Sequence, residues 1–174
     1  MITTTLSRIR ARGPCESDWK RLLAGLGKTA KDDEPLPFAR IVEISGIEAT
    51  LFFCGAEPQY SREWRSFAVW CGSQIRRMIR APQCLAALDV AECHMKGAAS
   101  DEELFSAHRA ALKVATGPEW VSVAASEREA AWAAFQASLE ALVAIIAKAP
   151  KGTVASELRA ARETQKKKFL EIVG

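Results

Sequence analysis

Apolar residues recur along this chain at steps of three and four, the spacing of one helical face, and almost nowhere in strict alternation. The pattern is clearest from Ser61 to Arg80, where Trp64, Phe67, Cys71, Ile75 and Met78 form one buried stripe. Pro82 suits a first helical position, Leu85, Leu88, Ala91 and Met95 follow it, and Gly97 closes that helix. Ser100 with Glu103 reads as a capping box that opens a helix carrying Leu104, Ala107, Ala111, Leu112 and Ala115. After Gly117-Pro118, residues 119–149 are helix-compatible throughout, with Trp132, Phe135, Leu139, Leu142 and Ile146 as a seam. Residues 153–172 make a last helix with Val154, Leu158, Ala161, Gln165 and Phe169 on one face.

The first third is less regular. Residues 5–12 suit a short helix with Leu6 and Ile9 together, ended by Gly13-Pro14. Ser17 reads as the cap of a second, with Trp19, Leu22, Leu23 and Leu26 in phase and Gly27 at its end. A polar linker, residues 28–34, leads to a helix expected to start at Pro35, with Asp32, Asp33 and Glu34 ahead of it as helix-start acids. That helix should stop at Gly46 and a short one follow over 47–54. The expected fold is all-α: one domain over 1–174, a compact bundle of about seven to nine helices with no sheet. Residues 1–34 are its less regular part and 35–174 the main bundle.

Composition adds limits. The 174 residues are 49% hydrophobic and 26% charged, an ordinary globular balance long enough to bury a core. The net charge of +3 does not by itself argue for a nucleic-acid partner. Cys15, Cys54, Cys71, Cys84 and Cys93 are odd in number with no CxxC spacing, which suits free, mostly buried thiols in a reducing cytosol. No signal peptide opens the chain, and the greasiest stretch, residues 141–147, is short of a membrane span. A cytoplasmic protein is expected.

Candidate chemistry is sparse. The two histidines, His94 and His108, lack zinc spacing with any cysteine. Cys93 and His94 are adjacent, so on a helix they point about 100° apart. The simplest reading makes Cys93 a core thiol and His94 a surface imidazole. Cys71 with His108 is a formal nucleophile pair, but Cys71 lies on an apolar stripe. There is no glycine-rich phosphate loop. No enzyme activity, cofactor or metal is therefore expected.

The surface offers more. Arg62, Arg65, Arg76 and Arg80 share one face if residues 61–80 form a continuous helix, with Arg77 beside them. Lys166, Lys167 and Lys168 follow Arg159 and Arg162. Such stripes can track phosphates, although they are more often solvated faces. Among the tryptophans, Trp19, Trp64, Trp120 and Trp132 suit packing, whereas Trp70 lies off its helix's stripe. A tryptophan beside arginines is a common interface anchor. Arg62, Arg65, Trp70, Arg76, Arg77 and Arg80 are thus the expected partner-binding residues, and Lys166, Lys167 and Lys168 the expected nucleic-acid contacts.

The block Phe67 to Ala111 pairs an aromatic–Cys helix (Trp70-Cys71) with Ala87-Leu88-Asp89-Val90-Ala91-Glu92. Then come Gly97, the capped turn at Ser100 and His108-Arg109-Ala110-Ala111. This order resembles an all-helical immunity-protein family found in bacterial toxin loci and in phage and prophage genomes. The run from Lys20 to Leu36 is similar to phage members of it. The resemblance implies a non-enzymatic protein that binds and inhibits another macromolecule. The target would be a toxin, as for an immunity protein, or a host defence complex, a nucleoprotein among the options, as for an anti-CRISPR protein. The alternative is a small nucleic-acid-binding protein that uses the arginine-rich face.

Overall fold

A computed structural model describes residues 1–79, 81–114, 150 and 152–174. Among them lie seven α-helices: α1 (Leu6–Ala11), α2 (Glu16–Leu26), α3 (Phe38–Phe53), α4 (Ser61–Gln74), α5 (Pro82–Met95), α6 (Asp101–Val114) and α7 (Val154–Val173). Arg80, Trp120, Trp132 and the expected helix over 119–149 lie outside the described residues.

The fold is helical as expected, with one correction. Thr3–Thr4 (β1) and Leu36–Pro37 (β2) pair antiparallel, Thr3 opposite Pro37 and Thr4 opposite Leu36. Backbone bonds extend this small tie: Phe38 N–H donates to Ile2 O at 3.1 Å, and Ile2 N–H donates to Val173 O at 2.7 Å. The N-terminal strand therefore fastens the start of α3 to the end of α7.

Several helix ends follow the sequence. Thr5 caps α1 by accepting the Arg8 N–H. Gly27 and Gly97 take the left-handed conformation, at φ +68° and +73°, that only glycine adopts cheaply. After α5, Gly97 N–H donates to His94 O and Ala98 N–H to Cys93 O, a Schellman stop. Gly46, at φ +78°, breaks α3 into the two expected halves.

Other ends differ. The cap of α2 is Cys15, not Ser17, because Pro14 already holds the preceding backbone and the helix begins at Glu16. The helix expected at Pro35 starts at Phe38, since Leu36 and Pro37 are taken by the ladder. Asp32 and Glu34 instead clamp Lys28, at 2.5 and 2.6 Å. This pair of carboxylates raises the Lys28 pKa, and Lys28 lowers that of Asp32. On α7, Gln165, Phe169 and Val173 are buried, but Val154 at the open end of the expected face is exposed.

The core gathers around aromatic rings from three helices. Trp64 (α4) stacks on Phe169 (α7) with centroids 6.0 Å apart and planes at 11°. Phe38 (α3) meets Trp64 edge-on at 5.3 Å, and Phe67 (α4) meets Phe169 edge-on at 5.7 Å. All four are fully buried. The Trp64 Nε1–H donates to Glu57 O at 3.0 Å, so the indole is not left with an unpaired donor.

Helices α2 and α3 approach closely at Gly25. A Cβ there would overlap Ile44 Cγ2 and crowd its Cγ1 and Cβ. In an open helix Gly→Ala stabilises by up to about 1 kcal/mol. Here the sign should reverse. Gly25→Ala is expected to destabilise by roughly 1–3 kcal/mol in urea unfolding. Gly25→Ala combined with Ile44→Ala, which removes the overlapping Cγ2 and the crowded Cγ1, should recover part of that loss.

Candidate functional site

The expected arginine stripe does not form, and the reason is local. Near the end of α4 the Ser73 hydroxyl donates to Trp70 O at 2.7 Å, and the Gln74 amide reaches the same carbonyl at 3.5 Å. Side chains that bond a helix carbonyl compete with its ladder. The ladder tightens at once: Ile75 N–H donates to Gly72 O, and Arg76–Met78 form a 3₁₀ turn. The helix thus ends at Gln74, and Arg76 leaves the face that holds Arg62.

The individual residues confirm the break-up. Arg65 is buried, with 7% of its surface exposed. Arg76 pairs with Asp89 and, at 3.6 Å, with Glu92, both on α5. It joins α4's end to α5, and Asp89 raises its pKa. Arg62 reaches Met95 O at 3.5 Å at the far end of α5. Trp70 is half-buried against the Phe67 ring, centroids 6.0 Å apart. Only Arg77 among the described stripe residues is exposed away from these contacts. In the lysine run, Lys167 is exposed, Lys166 is half-buried, and Lys168 pairs with Glu171 at 3.1 Å.

The basic residues of α1 have separate tasks. Arg8, half-exposed, reaches the buried Glu57 carboxylate at 3.0 Å, and Gln59 donates to the same oxygen at 2.5 Å. Arg10 pairs with Glu16 and lies over the Trp19 ring at 5.3 Å. Arg12 lies against Gly55, where a Cβ would come within 3.0 Å of its guanidinium.

Thiols and imidazoles divide by place. Cys54, Cys71 and Cys84 are buried, and burial pushes Cys54 and Cys71 well above the usual thiol range. Cys71 is therefore a poor nucleophile. The expected reading of Cys93 and His94 is reversed. Cys93 is exposed, while His94 is mostly covered and its Nε2 lies 2.7 Å from Asp101 across the α5–α6 turn. No group of three metal-ligating side chains occurs among the described residues. No described helix is long and apolar enough to cross a membrane.

A candidate binding surface lies on α6. Its N-terminus is held by the predicted box: Ser100 N–H donates to Glu103 at 2.7 Å and Glu103 N–H to Ser100 Oγ at 3.2 Å. One side of the helix packs on α5 through Leu104, Ala107 and Ala111. The opposite side bears Phe105, 48% exposed, with the Arg109 guanidinium 5.7 Å from its ring centre. Glu102, Phe105, Ser106, Arg109, Ala110 and Lys113 line a shallow cleft of about 540 Å³ there. Sequence periodicity did not single out this face, although Phe105 falls out of phase with the Leu104–Ala107–Ala111 stripe, which is the signal that marks it. No family model, curated protein or solved structure matches the chain.

Two predictions follow from these contacts. Removing Arg8 would leave the buried Glu57 carboxylate with the neutral Gln59 amide in place of a charged partner, whereas neutralising Glu57 leaves Arg8 hydrated. Arg8→Met is thus expected to cost about 2–3 kcal/mol in urea unfolding and Glu57→Gln clearly less. The Ser100 backbone N–H, then its hydroxyl, lowers the Glu103 pKa. A pKa lowered in the folded state gives stability at neutral pH that is lost as pH falls through it. Ser100→Ala, expected to cost about 1 kcal/mol near neutrality, should therefore differ less from wild type in acid melts.

Proposed function

We propose that this protein binds another macromolecule and inhibits it by occupying a functional surface, with a protein as its direct target. The target would be a toxin or a defence complex, the setting implied by the resemblance of residues 67–111. The observation that carries the reading is the outer face of α6. An exposed phenylalanine with an arginine over its ring is the composition of an interface anchor. Charged Glu102 and Lys113 at either end supply a polar rim.

The arginine stripe contributes little to this reading. Arg65 is buried and Arg76 is held to α5 at the surface by Asp89 and Glu92, so neither presents a free guanidinium to a partner. Of the described residues in the arginine stripe and the lysine run, Arg77 and Lys167 are the ones left exposed outside the contacts above, too few by themselves to give strong phosphate binding.

The test is affinity capture from the native host, with and without nuclease, using wild type and Phe105→Ala. A protein partner retained after nuclease, and bound at least about tenfold more weakly by the variant at unchanged melting temperature, is expected. Equal capture by the variant would remove α6 as the binding face. Loss of the partner on nuclease treatment would turn the reading toward nucleic acid.

A further inference from the structure

The outer face of α6 is self-complementary. Its six cleft residues lie symmetrically about the helix midpoint between Ala107 and His108: Glu102 mirrors Lys113, Phe105 mirrors Ala110, and Ser106 mirrors Arg109. We propose that this face also pairs antiparallel with the same face of a second copy of the chain. The inference rests on the reading of α6 as the binding surface and names its partner when no target is present.

A two-fold axis through the helix midpoint brings each residue level with its mirror on the other copy. Glu102 then lies opposite Lys113 of the second copy, and the same pair repeats at the other end. Opposite charges meet twice in one closed contact. The heterogeneous middle is suited to close approach. Ser106 and Ala110 are small, so the two backbones can near each other on one edge. On the other edge Phe105 comes beside Arg109 of the second copy, which extends the cation–π contact across the interface. All six residues are exposed. Neither Glu102 nor Lys113 has an ion-pair partner among the described residues.

A parallel arrangement would set Glu102 beside Glu102 and Lys113 beside Lys113. The charge layout therefore selects the antiparallel pair. One helix face a side is a small contact, below the area of a permanent dimer, so the association is concentration-dependent and readily exchanged.

Sedimentation velocity over roughly 10 µM to 1 mM tests this directly. Wild type is expected to shift from monomer toward dimer as concentration rises. Glu102→Lys alone and Lys113→Glu alone each place like charges opposite and should stay monomeric, with unchanged circular dichroism. Mixed together, the two variants restore opposite charges at both ends and should form a heterodimer. A wild type that stays monomeric throughout, single variants that dimerise as wild type does, or a mixture that fails to associate would each overturn the proposal. The outcome is separable from target binding. A monomeric wild type whose target capture still depends on Phe105 would sink the dimer and leave the proposed function standing.

Discussion

The Trp64–Phe169 stack is the contact on which the rest of the architecture depends. It joins residues far apart in the sequence, one on α4 and one on the C-terminal helix, and Phe38 and Phe67 close around it. Each ring buries a large apolar surface, and the edge-to-face geometry adds roughly 0.5–1.5 kcal/mol per pair. Because Trp64 also donates to Glu57 O, the stack fixes the turn after α3. The Glu57 side chain in turn holds Arg8 and so α1. The chain ends meet at the same place, since Ile2 bonds to both Phe38 and Val173. One aromatic cluster thus positions α1, α3, α4 and α7 together.

The hairpin of α5 and α6 extends this centre, since Cys84, Ala87, Leu88, Ala91, Leu104 and Ala111 belong to the same buried cluster. Arg76 ties the end of α4 to α5 by its two carboxylate partners. Helix α6 packs on α5 through Leu104, Ala107 and Ala111. With that side covered, Phe105 and Arg109 on the opposite side lie at the surface of a regular helix, where the proposed binding face needs them.

Where a helix end is decided by residues near it in sequence, the sequence was a good guide. Gly27, Gly46, Gly97, Pro82 and the Ser100–Glu103 box each mark their positions because capping chemistry is local. The two-residue ladder could not be read that way. Its partners are Thr3–Thr4 and Leu36–Pro37, too short to show alternation and separated in sequence by two helices. The end of α4 was hidden for a different reason. The apolar phase continues to Ile75 and beyond, while Ser73 and Gln74 divert a carbonyl that periodicity does not register. Extending the helix by that phase created an arginine stripe that the backbone does not carry. The surface on α6 was legible only as a misfit, one phenylalanine out of step with the buried stripe beside it.

If the α6 face is both the proposed anchor and its own complement, self-pairing would bear on the proposed inhibition. The exposed aromatic of an interface hot spot is a liability when no target is present, since it invites unspecific contact. Pairing two copies would cover Phe105 with Arg109 of the second copy and satisfy the end charges. A target then has to outcompete that pair, and it can do so only by offering a better-fitted surface than a single helix face. Weak self-association would thereby reject poor partners while costing little against a good one. In this view the small size of the interface and the charge symmetry of α6 serve the same end as the packing on α5 that presents it.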